Sequence, residues 1–287
     1  MTDKTTLGDR MKQYELTSQS FVLRRTPVII RIDGRAFHTF TSALDKLDDS
    51  LQRTPFSEKL HNAMLTTACI LFNEVQNCVL AYTQSDEISL VLRDWDRLET
   101  QQWFGGNLQK IVSLSASIAT AAFNYGYGRF VLPHHGNGWQ GLATFDSRAY
   151  NLPKEEVTNY FIWRQQDASR NSVQMLGRFH FSQKQMHGKN NSEVQDMLML
   201  QKQVNWNDLP TWMKRGSCVV QRPDWNHFMS FHPANVDDEI PIFTQDRQYI
   251  EKQLEVPEED LKSRTTTVNL EDYVQNKNGF GDENGIA

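Results

Sequence analysis

Two patterns alternate along the first half of the chain: short unbroken apolar runs, and longer stretches with an apolar residue every third or fourth position. Pro27–Asp33 is a continuous apolar run with β-branched residues and predicts a buried strand. From Glu58 to Val75, Leu60, Ala63, Met64, Thr67, Ala68 and Leu71 keep helical spacing, and Ser57 is placed to cap that helix. Cys78–Thr83 and Glu87–Leu92 flank a tight polar turn, a hairpin signal. Trp103–Phe123 reads as a long helix whose Ser and Ala residues suit close packing. Gly126–Gly141 holds five glycines and reads as a loop, followed by a short strand at Leu142–Phe145.

In the second half, Glu155–Phe181 predicts another helix. Phe161, Ile162, Ala168, Val173, Met175, Leu176 and Phe179 fall on one apolar face, and Arg164, Asp167, Asn171, Gln174 and Arg178 on a narrow opposite stripe. Ser192–Gln203 reads as helix and Gly216–Gln221 as strand. The order strand, helix, strand, tight turn, strand, helix predicts an α+β fold: an antiparallel-containing sheet with helices on one face, as in a polymerase palm. The expected organisation is a palm-like core over residues 1–150, a smaller helical and strand extension over 151–250, and an acidic, mobile tail over 251–287.

Composition narrows the setting. At 287 residues, 39% hydrophobic and 23% charged, the chain has the make-up of an ordinary globular protein. It has no apolar run long enough for a membrane span and no signal-peptide core, so a cytoplasmic location is expected. Cys69, Cys78 and Cys218 are few, odd in number and set among apolar neighbours, which fits reduced thiols. The net charge of −5 argues at first against nucleic acid. Its distribution alters that reading. Residues 251–287 carry six Glu and three Asp against three Lys and one Arg, which accounts for the whole −5. Residues 160–189 carry Arg164, Arg170, Arg178, Lys184 and Lys189 against Asp167 alone, a local excess of positive charge.

The candidate chemistry lies where strands end. Asp33 closes the run Ile29-Ile-Arg-Ile-Asp33, and Asp86 sits in the hairpin turn Gln84-Ser-Asp-Glu87. If those strands pair side by side, both carboxylates converge at one rim. Two rigid carboxylates, helped by the carbonyl of Gly34, are what a pair of Mg²⁺ ions needs for nucleotidyl transfer. Turn decoration is the plain alternative for either Asp alone. Glu87 alternates away from Asp86 if both lie in the strand. Arg31 and Arg35 flank Asp33 and are suited either to an ion pair or to phosphate, and Lys110 on the long helix is a further cation for a triphosphate. His134-His135 lacks partners for a metal site. Trp139 and Trp163 are the tryptophans most suited to stacking on bases.

These residues carry a resemblance. Arg31-Ile-Asp-Gly-Arg-Ala-Phe-His38, Gln84-Ser-Asp-Glu87, Trp103-Phe104 through Lys110, Phe145-Asp-Ser-Arg148, Tyr160-Phe-Ile-Trp-Arg-Gln-Gln-Asp167 and Lys214-Arg-Gly216 occur in order across about Thr26–Gln221. Together they are similar to the histidine-tRNA guanylyltransferase superfamily, the 3′-to-5′ nucleotide polymerases. The resemblance implies a palm in which the 3′-hydroxyl of an incoming nucleotide attacks the activated 5′ end of a tRNA, with two Mg²⁺, with GTP and ATP as substrates, and as a homotetramer. It implies Asp33, Gly34 and Asp86 as metal ligands and Asp33, Asp86 and Glu87 as the catalytic acids. The resemblance implies Lys110 as a triphosphate contact and Ser85 as part of the same motif; with Arg31 and Arg35, which flank Asp33, and Asn107 they make up the expected nucleotide set. It implies Arg148, Trp163, Arg164, Asp167 and Asn171 near the nucleotide or tRNA end, and Arg170 and Arg178 of the basic 160–189 stretch complete the expected RNA set. Ser169-Arg-Asn-Ser172 stands where eukaryotic members carry His-Ile-Asn-Asn, and Asn107 where an arginine is common. Both departures resemble the guanylyltransferase-like branch that repairs tRNA 5′ ends by copying a template. A palm-type nucleotidyl cyclase or cyclic-dinucleotide synthase is the alternative, although its Gly-Gly-acid-Glu-Phe-type turn is absent.

Overall fold

The structure, a computed structural model, describes residues 6–37, 39–40, 54–131, 142–221 and 234–256. His134, His135, Trp139 and residues 257–287 of the acidic tail lie outside the described residues.

The continuous apolar run becomes β1 (Val28–Gly34), with Ile29, Ile30 and Ile32 fully buried. A strand buried on both faces has no need of polar alternation, and each such side chain contributes about 1.5–3 kcal/mol. Thr6–Leu16 forms α1, and Ser57 caps α2 (Glu58–Glu74) by accepting the N–H of Leu60. The hairpin forms as β2 (Cys78–Gln84) and β3 (Glu87–Leu92). The six-stranded sheet runs β4-β1-β3-β2-β5-β6, with β4 at Phe145–Asn151, β5 at Ser217–Gln221 and β6 at Ala234–Asp237. Every pairing is antiparallel. The sheet therefore draws strands from both sides of residue 150.

Helices cover both faces, not one. Val28, Ile30 and Ile32 pack with α2 and with Ile111, Ala119 and Phe123 of α3 (Leu108–Val131). Ile29 and Val91 pack with Val157 and Phe161 of α4 (Lys154–His180), and with Ile250 and Leu254 of α8 (Gln248–Leu254). The stretch from Glu251 thus begins inside a packed helix. A satellite core joins the C-terminal half of α4 to α5 (Gln183–Met186) and α6 (Asn191–Lys202).

Three boundaries differ from the sequence reading. A 3₁₀ turn at Trp103–Gly106 precedes α3, because Phe104 and Gly105 hold left-handed backbone (φ 50° and 61°). Asn107 then accepts the N–H of Lys110 at 3.1 Å and starts the helix at Leu108. At its other end α3 continues through Gly126 to Val131, where a loop is expected. Tyr127 stacks on Phe123 at 5.3 Å, so tertiary packing outweighs the low helix propensity of glycine. Finally, the strand expected at Leu142–Phe145 begins only at Phe145, which pairs with Gly34.

Behind the hairpin, Gly216 ends α7 (Thr211–Arg215) at φ 80°, ψ −166°. A Cβ there would stand 2.3 Å from the carbonyl oxygen of Thr83. Gly216→Ala is expected to lower unfolding free energy by about 2 kcal/mol or more, measured by urea titration.

Candidate active site

The end of β1 and the tip of the hairpin meet as side-by-side strands require. Asp33 lies opposite Glu87 across the β1–β3 ladder, and Gly34 donates its N–H to the carbonyl of Asp86 at 3.0 Å. Asp86 stays in the turn because Ser85 adopts φ 51°. The Ser85 hydroxyl also donates to Asp86 Oδ1 at 3.0 Å. Asp33, Gly34, Ser85, Asp86 and Glu87 thus gather at one rim. Gly34 is held by packing: a Cβ there would stand 2.3 Å from the Phe37 ring.

On the other flank of β1, Asp146 of β4 lies opposite Asp33, and Arg148 opposite Arg31. One register row therefore reads Asp146, Asp33, Glu87, and the next on the same face reads Arg148, Arg31, Ser89. Like charges directly across a ladder repel. Arg148 relieves this partly, donating to Asp146 at 3.3 Å, while Arg31 keeps a buried Nε without a hydrogen-bond partner. Asp146 belongs to the Phe145–Arg148 motif, but only the strand register reveals that it faces Asp33.

From above, α4 closes over these rows. Arg164 is only 5% exposed, so it is not on the solvent stripe that helical spacing assigns it. Its Nε lies 2.9 Å from Glu87 Oε1, and its terminal nitrogen pairs with Asp167. Arg170 reaches the other oxygen of Asp167 at 2.9 Å. Tyr160 is hydrogen-bonded to Ser89 at 2.7 Å, and the Ser89 hydroxyl also reaches Glu87. The motif contains Tyr160, but its link to Ser89 is a tertiary contact that spacing does not encode. The face expected to be apolar is corrected as well: Met175 and Phe179 are 38% and 44% exposed.

Charge follows from this packing. Burial raises the Asp86 carboxyl above its ordinary 3.8, and the charge of Asp33 adds to the rise while the Ser85 hydroxyl opposes it. Burial likewise raises Glu87, against the pull of Arg164 and Arg31. Asp167 carries a desolvation penalty too, but hydrogen bonds and charge from Arg170 and Arg164 hold it below the usual carboxylate range.

Other expected site residues stand apart. Lys110 is exposed in the first turn of α3, on the layer covering the opposite face, rather than about two turns into the helix. Asn107 is engaged in capping that helix. Arg35 is exposed, its backbone N–H bonded to Thr144. Asn171 and Arg178 are exposed on α4, and Arg178 lies in its last turn, about 20 Å along the helix from Arg164.

The donor set suits a hard cation. Mg²⁺ takes one or two carboxylates and leaves its remaining positions to water and phosphate oxygens. Asp33, Asp86 and the Gly34 carbonyl provide that, and Asp86 is a desolvated carboxylate beside a like charge. Among the described residues, no group of three or more His, Cys, Asp or Glu side chains is placed to hold a metal ion by itself.

An antiparallel sheet with acids gathered at the rim of a central hairpin defines a palm-type nucleotidyltransferase. The chain belongs to the tRNAHis guanylyltransferase (Thg1) family, whose model matches residues 8–153. It is 29% identical over 224 residues to the tRNA(His) guanylyltransferase of Schizosaccharomyces pombe, covering 74% of this chain and 79% of that one. It is also similar to a solved bacterial tRNA(His) guanylyltransferase (Thg1)-like protein in complex with ATP. That match has 43% identity and a TM-score of 0.77, and covers 88% of this chain and 100% of that one. A bacterial Thg1-like structure in complex with GTP matches at 41% identity and a TM-score of 0.72, with the same coverage.

Proposed function

We propose that this enzyme adds nucleotides in the 3′-to-5′ direction to the 5′ end of tRNA, copying a template to restore missing residues. The observation that carries the reading is the convergence of Asp33 and Asp86, locked by the bond from Gly34 N–H to the Asp86 carbonyl. Asp33, Asp86 and the Gly34 carbonyl would hold two Mg²⁺. When bound, those ions neutralise charge on phosphate and lower the barrier to attack by a hydroxyl.

The rest falls to the chain's own side chains. Glu87 is held in place by Arg164. Lys110 belongs to the proposed nucleotide set through the family resemblance; the first turn of α3 packs at the Val28–Leu92 end of the sheet, so the proposed triphosphate contact is not beside Asp33 and Asp86 of the same protomer. Asn107 serves that contact through its cap. Ser85 steadies Asp86. Arg31 and Arg35 complete the proposed nucleotide set. Arg148, Trp163, Arg164, Asp167, Arg170, Asn171 and Arg178 form the proposed RNA set, with Arg164 acting from beneath. GTP and ATP are the proposed substrates, supported by the two bacterial complexes. Family resemblance also supports a homotetramer and a cytoplasmic setting. Among the described residues, no helix is long and apolar enough to cross a membrane.

The test offers a 5′-truncated tRNA with NTPs and Mg²⁺ and follows the 5′ end on a sequencing gel. Extension that follows the opposing strand is expected, and chelating Mg²⁺ should stop it. An intact, folded enzyme that leaves the RNA unextended, or that makes a cyclic nucleotide from NTP alone, would overturn the reading.

A further inference from the structure

Most of the exposed large apolar side chains among the described residues are aliphatics or single rings, but Trp163 is an indole held on two sides. It is 47% exposed, yet the Arg164 guanidinium carbon lies 4.2 Å from its ring centroid. That guanidinium is itself fixed by Glu87 and Asp167. The Tyr160 ring abuts the indole at 5.9 Å and 66°, and Tyr160 is anchored by its hydrogen bond to Ser89. About half of the indole stays open to solvent while Arg164 and Tyr160 fix its orientation. A rigid flat ring backed by a guanidinium is the surface on which a nucleobase stacks.

We propose that Trp163 is the stacking platform for the terminal base at the 5′ end of the RNA substrate. This rests on the reading of the chain as a 5′-end nucleotidyltransferase and specifies one contact within it. The choice of RNA over the incoming nucleotide follows from the charge along α4. Arg170 stands exposed two turns beyond Trp163 on the same face of the helix, and Arg178 is exposed two turns further on. Cations spaced along a helix suit the successive phosphates of a polynucleotide, whereas a single triphosphate needs them gathered at one point. Stacking tolerates any base, as repair of different tRNAs requires.

A tRNA carrying 2-aminopurine at its first position tests this. Its emission is expected to be quenched on binding the wild-type protein. Trp163→Ala should abolish the quench and raise the KM for RNA by about 10-fold or more, with kcat and the KM for NTP within about 2-fold. Trp163→Phe should recover most of both. An RNA abasic at its first position should bind wild type and Trp163→Ala equally. Three results would each overturn the assignment: an unchanged quench in Trp163→Ala, a penalty that persists on the abasic RNA, or a rise confined to the KM for NTP. Quenching without extension by the wild-type protein would leave the platform standing and remove the proposed reaction instead.

Discussion

Asp33→Asn and Asp86→Asn are each expected to reduce 5′ extension by about 10³-fold or more, close to 4 kcal/mol of barrier, without unfolding the protein. The amide keeps the shape of the carboxylate and removes the charge that holds a divalent cation. Stability should move the other way. Asp33 sits in one register row between Asp146 and Glu87, beside Asp86 in the adjoining turn. The folded protein therefore gathers like charges that the unfolded chain disperses. The sign follows from linkage. Burial and the charge of Asp33 raise the folded-state pKa of Asp86 above its ordinary value. A group shifted upward favours folding below its unfolded pKa and loses that contribution as pH rises through the folded value. At neutral pH the wild type bears that cost and Asp86→Asn does not. Asp86→Asn should thus melt at or above the wild-type temperature at pH 7, and the difference should vanish below about pH 4. Calorimetry across that range, beside the extension assay, checks both halves. A variant that remains active refutes the metal assignment, and one that melts lower at pH 7 refutes the account of crowded charge.

What was legible in the sequence and what was not divide by range of interaction. β1 and the hairpin were legible because unbroken apolar runs and a polar turn are local signals. So was the Ser57 cap. The convergence of Asp33 with Asp86 followed once those strands were placed side by side. The start of α3 is masked in the pattern because Trp103 and Phe104 imitate a helical apolar start, although Gly105-Gly106-Asn107 holds its punctuation. Its far end departs from the pattern because the stacking of Tyr127 on Phe123 outweighs two glycines. Helices on both faces were not legible, since α4 and α8 reach the sheet from far along the chain. Helical spacing puts Arg164 on a solvent stripe because a helical wheel registers polarity and is blind to Glu87, which makes burial tolerable. Asp146, Ser89 and Tyr160 were missed for the same reason: only tertiary register brings them to the rim.

That buried guanidinium carries the second large effect. Arg164→Met is expected to destabilise the fold by about 3–5 kcal/mol, because it leaves Glu87 buried without its partner. Methionine preserves much of the side-chain volume, so most of the loss is electrostatic. Glu87 is only 7% exposed and Arg31 keeps some hold on it, so its carboxyl should respond by rising further. The deficit of the variant should consequently be greatest near neutral pH and shrink on acidification toward the ordinary glutamate range, as neutral Glu87 becomes the cheaper buried form. Adding Glu87→Gln should restore part of the stability at pH 7, because the orphaned charge is then gone. Activity should stay low in both variants, since Arg164 also fixes Asp167 from beneath and backs the Trp163 ring. Urea titrations of the wild type, the two single variants and the double variant at pH 5 and pH 7 give the coupling energy directly. A loss independent of pH and unrelieved by Glu87→Gln would mean that Arg164 stabilises α4 by packing alone.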